Sequence, residues 1–122
     1  MEKETKVKLD ERGKMFQVFD LGNLGEVLFA TVKPNCVRGD HYHKKKRELF
    51  CLVKGSAVFK TRNVQTGEKK EIPLSGKSPC VLEILPWWTH SVTNIGEDEA
   101  EFLEWCDTPY NPDNPDSFRE KV

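Results

Sequence analysis

The feature that most constrains this chain is a succession of short strand-forming runs, each stopped after a few residues by glycine, proline or asparagine. Glu26–Val32 is rich in β-branched and aromatic residues and ends near Pro34. Glu48–Val53 is the next clear run, and Gly55 turns it into Ala57–Arg62. There Ala57, Phe59 and Thr61 fall on one face while Lys60 and Arg62 take the other, the two-residue period of a strand. Gln65-Thr66-Gly67-Glu68 predicts a hairpin turn. Met15–Phe19 alternates more loosely, and Val81–Leu85, His90–Asn94 and Ala100–Trp105 continue the series. No stretch of a dozen residues has helical spacing. The pattern predicts an all-β sandwich or barrel spanning about residues 14–106. From Asp107 onward the prolines Pro109, Pro112 and Pro115 alternate with polar residues, which predicts an extended tail over 107–122 without strand or helix.

At 122 residues the chain has room for one domain with a real core. Nineteen basic against twenty acidic side chains leave it near neutral, so general attraction to nucleic acid or to a membrane surface is not expected. No apolar run reaches the length of a membrane helix. The charged start Met1-Glu2-Lys3-Glu4-Thr5-Lys6 leads into no apolar segment and does not read as a signal peptide, so the expected compartment is the cytoplasm. Cys36, Cys51, Cys80 and Cys106 form no CxxC pair, which argues against a zinc knuckle or a thioredoxin-like site and for reduced, structural thiols.

The residues that carry chemistry cluster in two places. In Gly39-Asp40-His41-Tyr42-His43-Lys44-Lys45-Lys46-Arg47-Glu48, the two histidines stand two apart, so on a strand both project to one face. Glu48 opens the next strand and can return a carboxylate to the same place, with Gly39 and Gly55 suited to the reversals on either side. The second piece is Pro86-Trp87-Trp88-Thr89-His90, with Asn94 four residues on. The chain has three histidines, and all of them lie in these two segments. His41, His43, Glu48 and His90 together make an N3O donor set suited to a divalent metal, zinc first, with iron, manganese, nickel or copper chemically adequate. An HxH on a polar strand edge is weak by itself; the joint spacing is what restricts it.

These residues resemble the two conserved motifs of the cupins. Gly39-x-His41-x-His43-x4-Glu48-x6-Gly55 is similar to the first, and Pro86 through Asn94 to the second, with Trp87 standing where the second motif usually has a glycine. The likeness runs from about Phe29 to Trp105. It implies a double-stranded β-helix, an antiparallel jelly-roll barrel. A narrower resemblance lies in Arg38-Gly39-Asp40-His41-Tyr42-His43, in Leu85 to His90, and in the tail Asn111-Pro112-Asp113-Asn114-Pro115-Asp116-Ser117-Phe118. Together they are similar to the cupin domain of the capsular-polysaccharide enzymes that epimerise and reduce UDP-linked 4-keto sugars. The Arg-Gly-x-His opening is also similar to dTDP-4-keto-sugar epimerases and ketoisomerases. This resemblance implies work on a nucleotide sugar, a homodimer, a bound zinc and a reductase as a separate partner.

Epimerisation beside a ketone needs a base, a proton donor on the opposite face, and positive charge or donors at the ketone oxygen. Zinc would supply the last of these. Without metal, His43 or His41 would be the base, with Tyr42 or Tyr110 as donor; one histidine nitrogen cannot serve as both ligand and base. Eight basic residues lie between Arg38 and Arg62 against Asp40 and Glu48, and Arg38 is the candidate to clamp a diphosphate with its planar fork. The same run also reads as a solvated turn and strand face. Trp87, Trp88 and Trp105 read more readily as core or dimer packing than as stacking platforms. Two further functions fit the donor set: a metal- or sugar-binding sensor without turnover, and a metal-dependent dioxygenase.

Overall fold

A computed structural model describes all residues, Met1–Val122. Eleven strands follow one another: β1 Lys8–Asp10, β2 Gly13–Asp20, β3 Glu26–Val32, β4 Val37–Tyr42, β5 Glu48–Lys54, β6 Ser56–Asn63, β7 Lys69–Ser75, β8 Val81–Ile84, β9 Trp88–Asn94, β10 Ala100–Cys106 and β11 Phe118–Arg119. A single 3-10 turn, Gly22–Leu24, joins β2 to β3. Every strand pairing is antiparallel, in one sheet ordered β1-β2-β3-β10-β5-β8 and another ordered β11-β4-β9-β6-β7. No helix is long and apolar enough to cross a membrane.

The period-two pattern explains the core. Ala30, Val32, Phe50, Leu52, Ile84, Ala100 and Phe102 from the first sheet meet Ala57, Phe59, Leu74 and Val92 from the second. Phe50 packs on Phe59 across the sheets at 5.3 Å between ring centroids and on Phe102 beside it at 4.7 Å. Burying each such ring contributes about 1.5–3 kcal/mol, so this trio fixes the spacing of the two sheets at the end where the chemistry lies.

Three elements depart from the sequence expectation. β1 precedes the expected start, and its Lys-Leu-Asp sequence gives no strand signal. β7 carries Lys69, Lys70, Glu71 and Pro73; as the edge of its sheet it tolerates both the charges and a residue without an N–H. The tail is not wholly without a strand, because beyond Pro115 the backbone regains its donors and Phe118–Arg119 pairs with Tyr42 and His41 of β4. None of the three tryptophans joins the core: Trp87, Trp88 and Trp105 all stay half-exposed. The four cysteines are free thiols.

The strand that matters most is β4. Its register against β9 shifts between Gly39↔Ser91 and His41↔His90, leaving Asp40 as an extra residue at φ 58°. Without that bulge His41 would oppose Thr89 and turn away from the face His90 occupies. Gly39 sits at φ 107°, and a Cβ there would lie 2.4 Å from the His90 carbonyl oxygen. Gly39→Ala is therefore expected to prise β4 from β9 and to destabilise the fold by about 1–3 kcal/mol, measured by urea denaturation. An alanine variant as stable as the parent would show that the two strands need not approach so closely.

Candidate metal centre

His41, His43, Glu48 and His90 come together inside one end of the barrel, their ligand atoms all within 4.8 Å of one another. The bulge in β4 supplies His41, the first residue after β4 supplies His43, the start of β5 supplies Glu48, and the middle of β9 supplies His90. Glu48, His43 and His90 are buried. The His41 ring lies 4.8 Å from His90, edge to face, and 5.1 Å from His43. Phe59 stacks on His90 from below, at 6.0 Å and 10°.

Hydrogen bonds set the tautomers. His43 Nδ1 is 2.6 Å from the Asp116 carbonyl oxygen and His90 Nδ1 is 3.1 Å from that of Trp88. A carbonyl only accepts, so each Nδ1 carries a proton and donates it. The Nε2 lone pair of each neutral ring is then directed into the site. His43 Nε2 lies 2.7 Å and His90 Nε2 3.7 Å from Glu48 Oε1. The shorter separation lacks the alignment of a hydrogen bond, and His43 Nε2 and Glu48 Oε1 are the buried side-chain polar atoms left without a partner. A carboxylate oxygen and an imidazole nitrogen, both buried and facing each other at this range, call for a cation beside them, a proton or a metal ion. Imidazoles that donate their far N–H to backbone carbonyls are also the arrangement that orients metal ligands. The residues fit a divalent ion.

Electrostatics keep His41 and His90 neutral and favour positive charge beside Glu48. Burial, with help from the neighbouring imidazoles, pushes the His41 pKa down to about 3. Burial lowers His90 as well, against the pull of Glu48. Burial also opposes charge on His43, but the Glu48 carboxylate and the Asp116 carbonyl outweigh it and raise that pKa. Burial acts to raise Glu48, yet the donors and positive potential around it hold its carboxyl below the ordinary range.

A cavity of about 690 Å³ includes the four residues in its lining, together with Phe50, Phe59, Val92 and Phe102, the basic Lys6, Lys8, Arg12 and Arg38, and the acidic Glu26 and Glu104. Arg38 is buried on this wall, its Nε donating to the Thr31 carbonyl at 2.9 Å and its Nη2 to that of Lys14 at 3.3 Å. Those bonds fix the guanidinium but leave it a smaller share for a ligand than an open fork would have. Arg12 is held by Asp10 at 2.6 Å, whereas Lys6 and Lys8 have no ion-pair partner. Tyr110 stands at the rim with Lys8 over its ring. Tyr42 points the other way: its ring is stacked between Trp87 and Phe118, outside the cavity lining. The part of proton donor that a metal-free reading gave it does not suit that position, because strand alternation sends Tyr42 to the face opposite its neighbouring histidines.

Glu104 was not foreseen. It lines the cavity beside Glu48 and Cys106, and the Cys106 thiol donates to Glu48 Oε2 at 3.3 Å. Burial, then the Glu48 carboxylate, raises the Glu104 pKa well above the usual range. Ala100, Phe102, Glu104 and Cys106 alternate on the inward face of β10, so an acid in step with core residues was the available signal. Trp87 takes φ 72°, the left-handed conformation that a glycine at this place would adopt without strain, and is held there by its N–H on the His43 carbonyl at 2.7 Å.

The neutral, buried imidazoles make metal-free stability pH-dependent. His41 and His90 bind protons more readily unfolded than folded, so their contribution is present above the unfolded pKa of about 6.5 and is lost as pH falls below it. His43 and Glu104, whose pKa values the fold raises, act in the opposite direction. In chelator-treated protein, His41→Gln is therefore expected to gain less resistance to urea than the parent on going from pH 5 to pH 7.5. A variant that gains as much as the parent would mean that the fold does not hold the His41 ring neutral.

The polysaccharide biosynthesis C-terminal domain model matches residues 8–118. The chain is 37% identical over 109 residues to the UDP-2-acetamido-2,6-beta-L-arabino-hexul-4-ose reductase of Pseudomonas aeruginosa, an overlap of 89% of this chain and 29% of that protein. It is 24% identical over 104 residues to the spore coat polysaccharide biosynthesis protein SpsL of Bacillus subtilis, covering 81% of this chain and 69% of SpsL. The capsular polysaccharide assembling protein CapF from Staphylococcus aureus superposes with a TM-score of 0.93 at 28% identity, over 98% of this chain and 35% of CapF. Oxalate decarboxylase of Lactobacillus farciminis, at 22% identity, 94% of this chain, 33% of that chain and TM-score 0.77, shares the fold. This chain thus spans about a third or less of the reductase and of CapF. The two-sheet jelly roll with its histidine-lined mouth is a cupin barrel, and the chain belongs to the polysaccharide biosynthesis C-terminal domain family.

Proposed function

We propose that this protein is a metal-binding cupin that epimerises or isomerises a nucleotide-linked 4-keto sugar during synthesis of polysaccharide precursors. The observation that carries the reading is the unpaired His43 Nε2 and Glu48 Oε1, gathered with His41 and His90 at the floor of a cavity with cationic walls. His41, His43, Glu48 and His90 would hold the ion, zinc being the best match to the donor set. When bound, it would supply Lewis acidity to a carbonyl oxygen. The protein's own groups do the rest. Phe50, Phe59, Val92 and Phe102 give the cavity apolar walls that would keep water from the reacting atoms, while Lys6, Lys8 and Arg38 in the same lining would meet a diphosphate. Glu104, held protonated by burial and by Glu48, is placed to give a proton from its carboxyl to a bound sugar.

The test is exchange. Incubation of UDP- and dTDP-linked 4-keto sugars with the protein in deuterated water is expected to place deuterium on the carbon beside the ketone. His43→Ala is expected to abolish the exchange. Arg38→Ala is expected chiefly to raise the substrate concentration required, since a phosphate contact contributes mostly uniform binding. Folded, metal-loaded protein that exchanges none of these substrates would transfer the reading to a binding module without turnover.

A reductase acting on the same intermediate is part of the proposal, because a relative 37% identical to this chain is a UDP-linked hexul-4-ose reductase. A homodimer is part of the same proposal. On the outer face of the larger sheet Phe16, Phe29, Leu103, Cys51 and Val81 lie in register across five strands, with Val27, Trp105 and Leu49 in the next row. Leu103 is 38% and Val81 64% exposed, which is apolar surface suited to a second copy. Light scattering is expected to give twice the 14.1 kDa chain mass and Leu103→Arg to halve it; a parent protein at 14.1 kDa would rule the dimer out.

A further inference from the structure

Asp116 lies 68 residues beyond Glu48 in the sequence and outside both histidine motifs, yet it holds the segment that joins two of the four site residues. Its carboxylate accepts from three successive backbone amides of that segment: Lys44 N at 2.9 Å, Lys45 N at 3.0 Å and Lys46 N at 2.9 Å. Three N–H groups converging on one carboxylate form an anion nest. The carbonyl of the same residue takes the His43 Nδ1 proton at 2.6 Å. Asp116 sits at φ 46°, a left-handed conformation that aspartate tolerates better than most residues. Both of its oxygen-bearing groups thereby reach the stretch from His43 to Lys46.

No other group does this work. Trp87 N donates to the His43 carbonyl and fixes its backbone, but the imidazole is left free to turn about its side-chain torsions. The only hydrogen-bond partner of the His43 ring is the Asp116 carbonyl. The strap that carries Asp116 is itself anchored. Phe118 and Arg119 pair with Tyr42 and His41; Glu120 N donates to the Asp40 carbonyl at 3.0 Å, and Val122 N to Asp40 Oδ1 at 3.1 Å. Arg62 ties Glu120 and Lys121 to β6. Thr89, next to His90, donates to the Glu120 carbonyl.

We infer that Asp116 is a positioning residue for the centre: its carboxylate fixes the Lys44–Lys46 turn that returns Glu48 and, through that grip, holds its own carbonyl against His43 Nδ1, where it selects the tautomer that offers Nε2 to the site. This rests on the reading of His41, His43, Glu48 and His90 as metal ligands. The strap is thus part of the site rather than a cover over it.

Two variants test it, Asp116→Gly, which keeps the left-handed backbone and removes the carboxylate, and Asp116→Asn, which keeps one acceptor oxygen. In metal-free protein, at a pH where the His43 ring is neutral, nitrogen-15 NMR of the imidazoles should show His43 as the single Nδ1–H tautomer in the parent. Asp116→Gly should show a mixture of tautomers, and Asp116→Asn should fall between. Competition with a chromophoric chelator should give 10- to 100-fold weaker zinc binding for Asp116→Gly, the usual loss when an outer partner of a ligand is removed. The visible spectrum of the cobalt-substituted variant should change in band position and intensity, as expected when a ligand leaves. Unchanged amide dispersion outside residues 40–48 and 107–122 will show that the variants fold. A folded Asp116→Gly with one His43 tautomer and zinc affinity within twofold of the parent overturns the inference. Should the parent itself hold neither zinc nor cobalt, the metal reading falls, and the tautomer measurement on metal-free protein still decides for or against Asp116.

Discussion

Everything at the mouth of this barrel answers to one buried carboxylate. Glu48 is 3% exposed and kept ionised, in a setting where an isolated charge would cost several kcal/mol. Its Oε2 accepts from the Cys106 thiol, but Oε1 meets only the acceptor nitrogens of His43 and His90. A fold stabilised by hydrophobic burial alone would have no use for such a group. Leucine at the first inward position of β5 would pack on Ile84 and Cys106 without penalty. The charge makes physical sense as one part of a cation site, with His41 and His90 neutral and the rings of His43 and His90 oriented by carbonyls outside it.

That view explains which parts of the molecule could be read from the sequence. The strands of the barrel body announce themselves because their cores alternate: Phe50 with Leu52, Ala57 with Phe59, Ala100 with Phe102. The four candidate ligands and their convergence were legible from residue type, spacing and the motifs they resemble. The device that turns His41 inward was not, because it is the bulge at Asp40, and a one-residue insertion leaves no mark on a chain read in steps of two. Tyr42 illustrates the same limit from the other side, since neighbours on a strand look out in opposite directions. The β1 and β7 edges were silent because an edge strand carries charge and proline where a central strand would not. The C-terminal strap reads as an extended tail without a strand because prolines recur up to Pro115, while the residues that pair with β4, Phe118 and Arg119, lie beyond the last of them.

Trp87 shows how the local and the global are reconciled at this site. A bulky side chain at φ 72° costs about 1–3 kcal/mol, and the surroundings offset it. Its N–H meets the His43 carbonyl, its carbonyl receives Val64 N at 2.9 Å, and its ring stacks on Tyr42 at 5.8 Å with Lys44 above. Tyr42 in turn stacks on Phe118 at 5.4 Å. The aromatic column therefore joins the loop before β9, the end of β4 and the strap, and it does so on the outer side of the same strands whose inner side carries the histidines. The strain resides in the loop that delivers His90, where Trp88 also supplies the carbonyl that orients the His90 ring.

Seen this way, the division of the molecule into barrel and tail is a division of chain, not of function. His43 receives its ring orientation from Asp116, His41 its strand partner from Arg119, and the bulge that turns His41 inward is bonded on its open side by Glu120 and Val122. The second sheet would otherwise end at β4, with the bulged Asp40 and its carbonyl facing water. A bulge at an unprotected edge is free to relax, and relaxing by one residue would turn His41 out of the site. Pairing β11 against that edge converts a local irregularity into a fixed geometry. The orientation of the site histidines is thus held largely by backbone hydrogen bonds made outside the cavity.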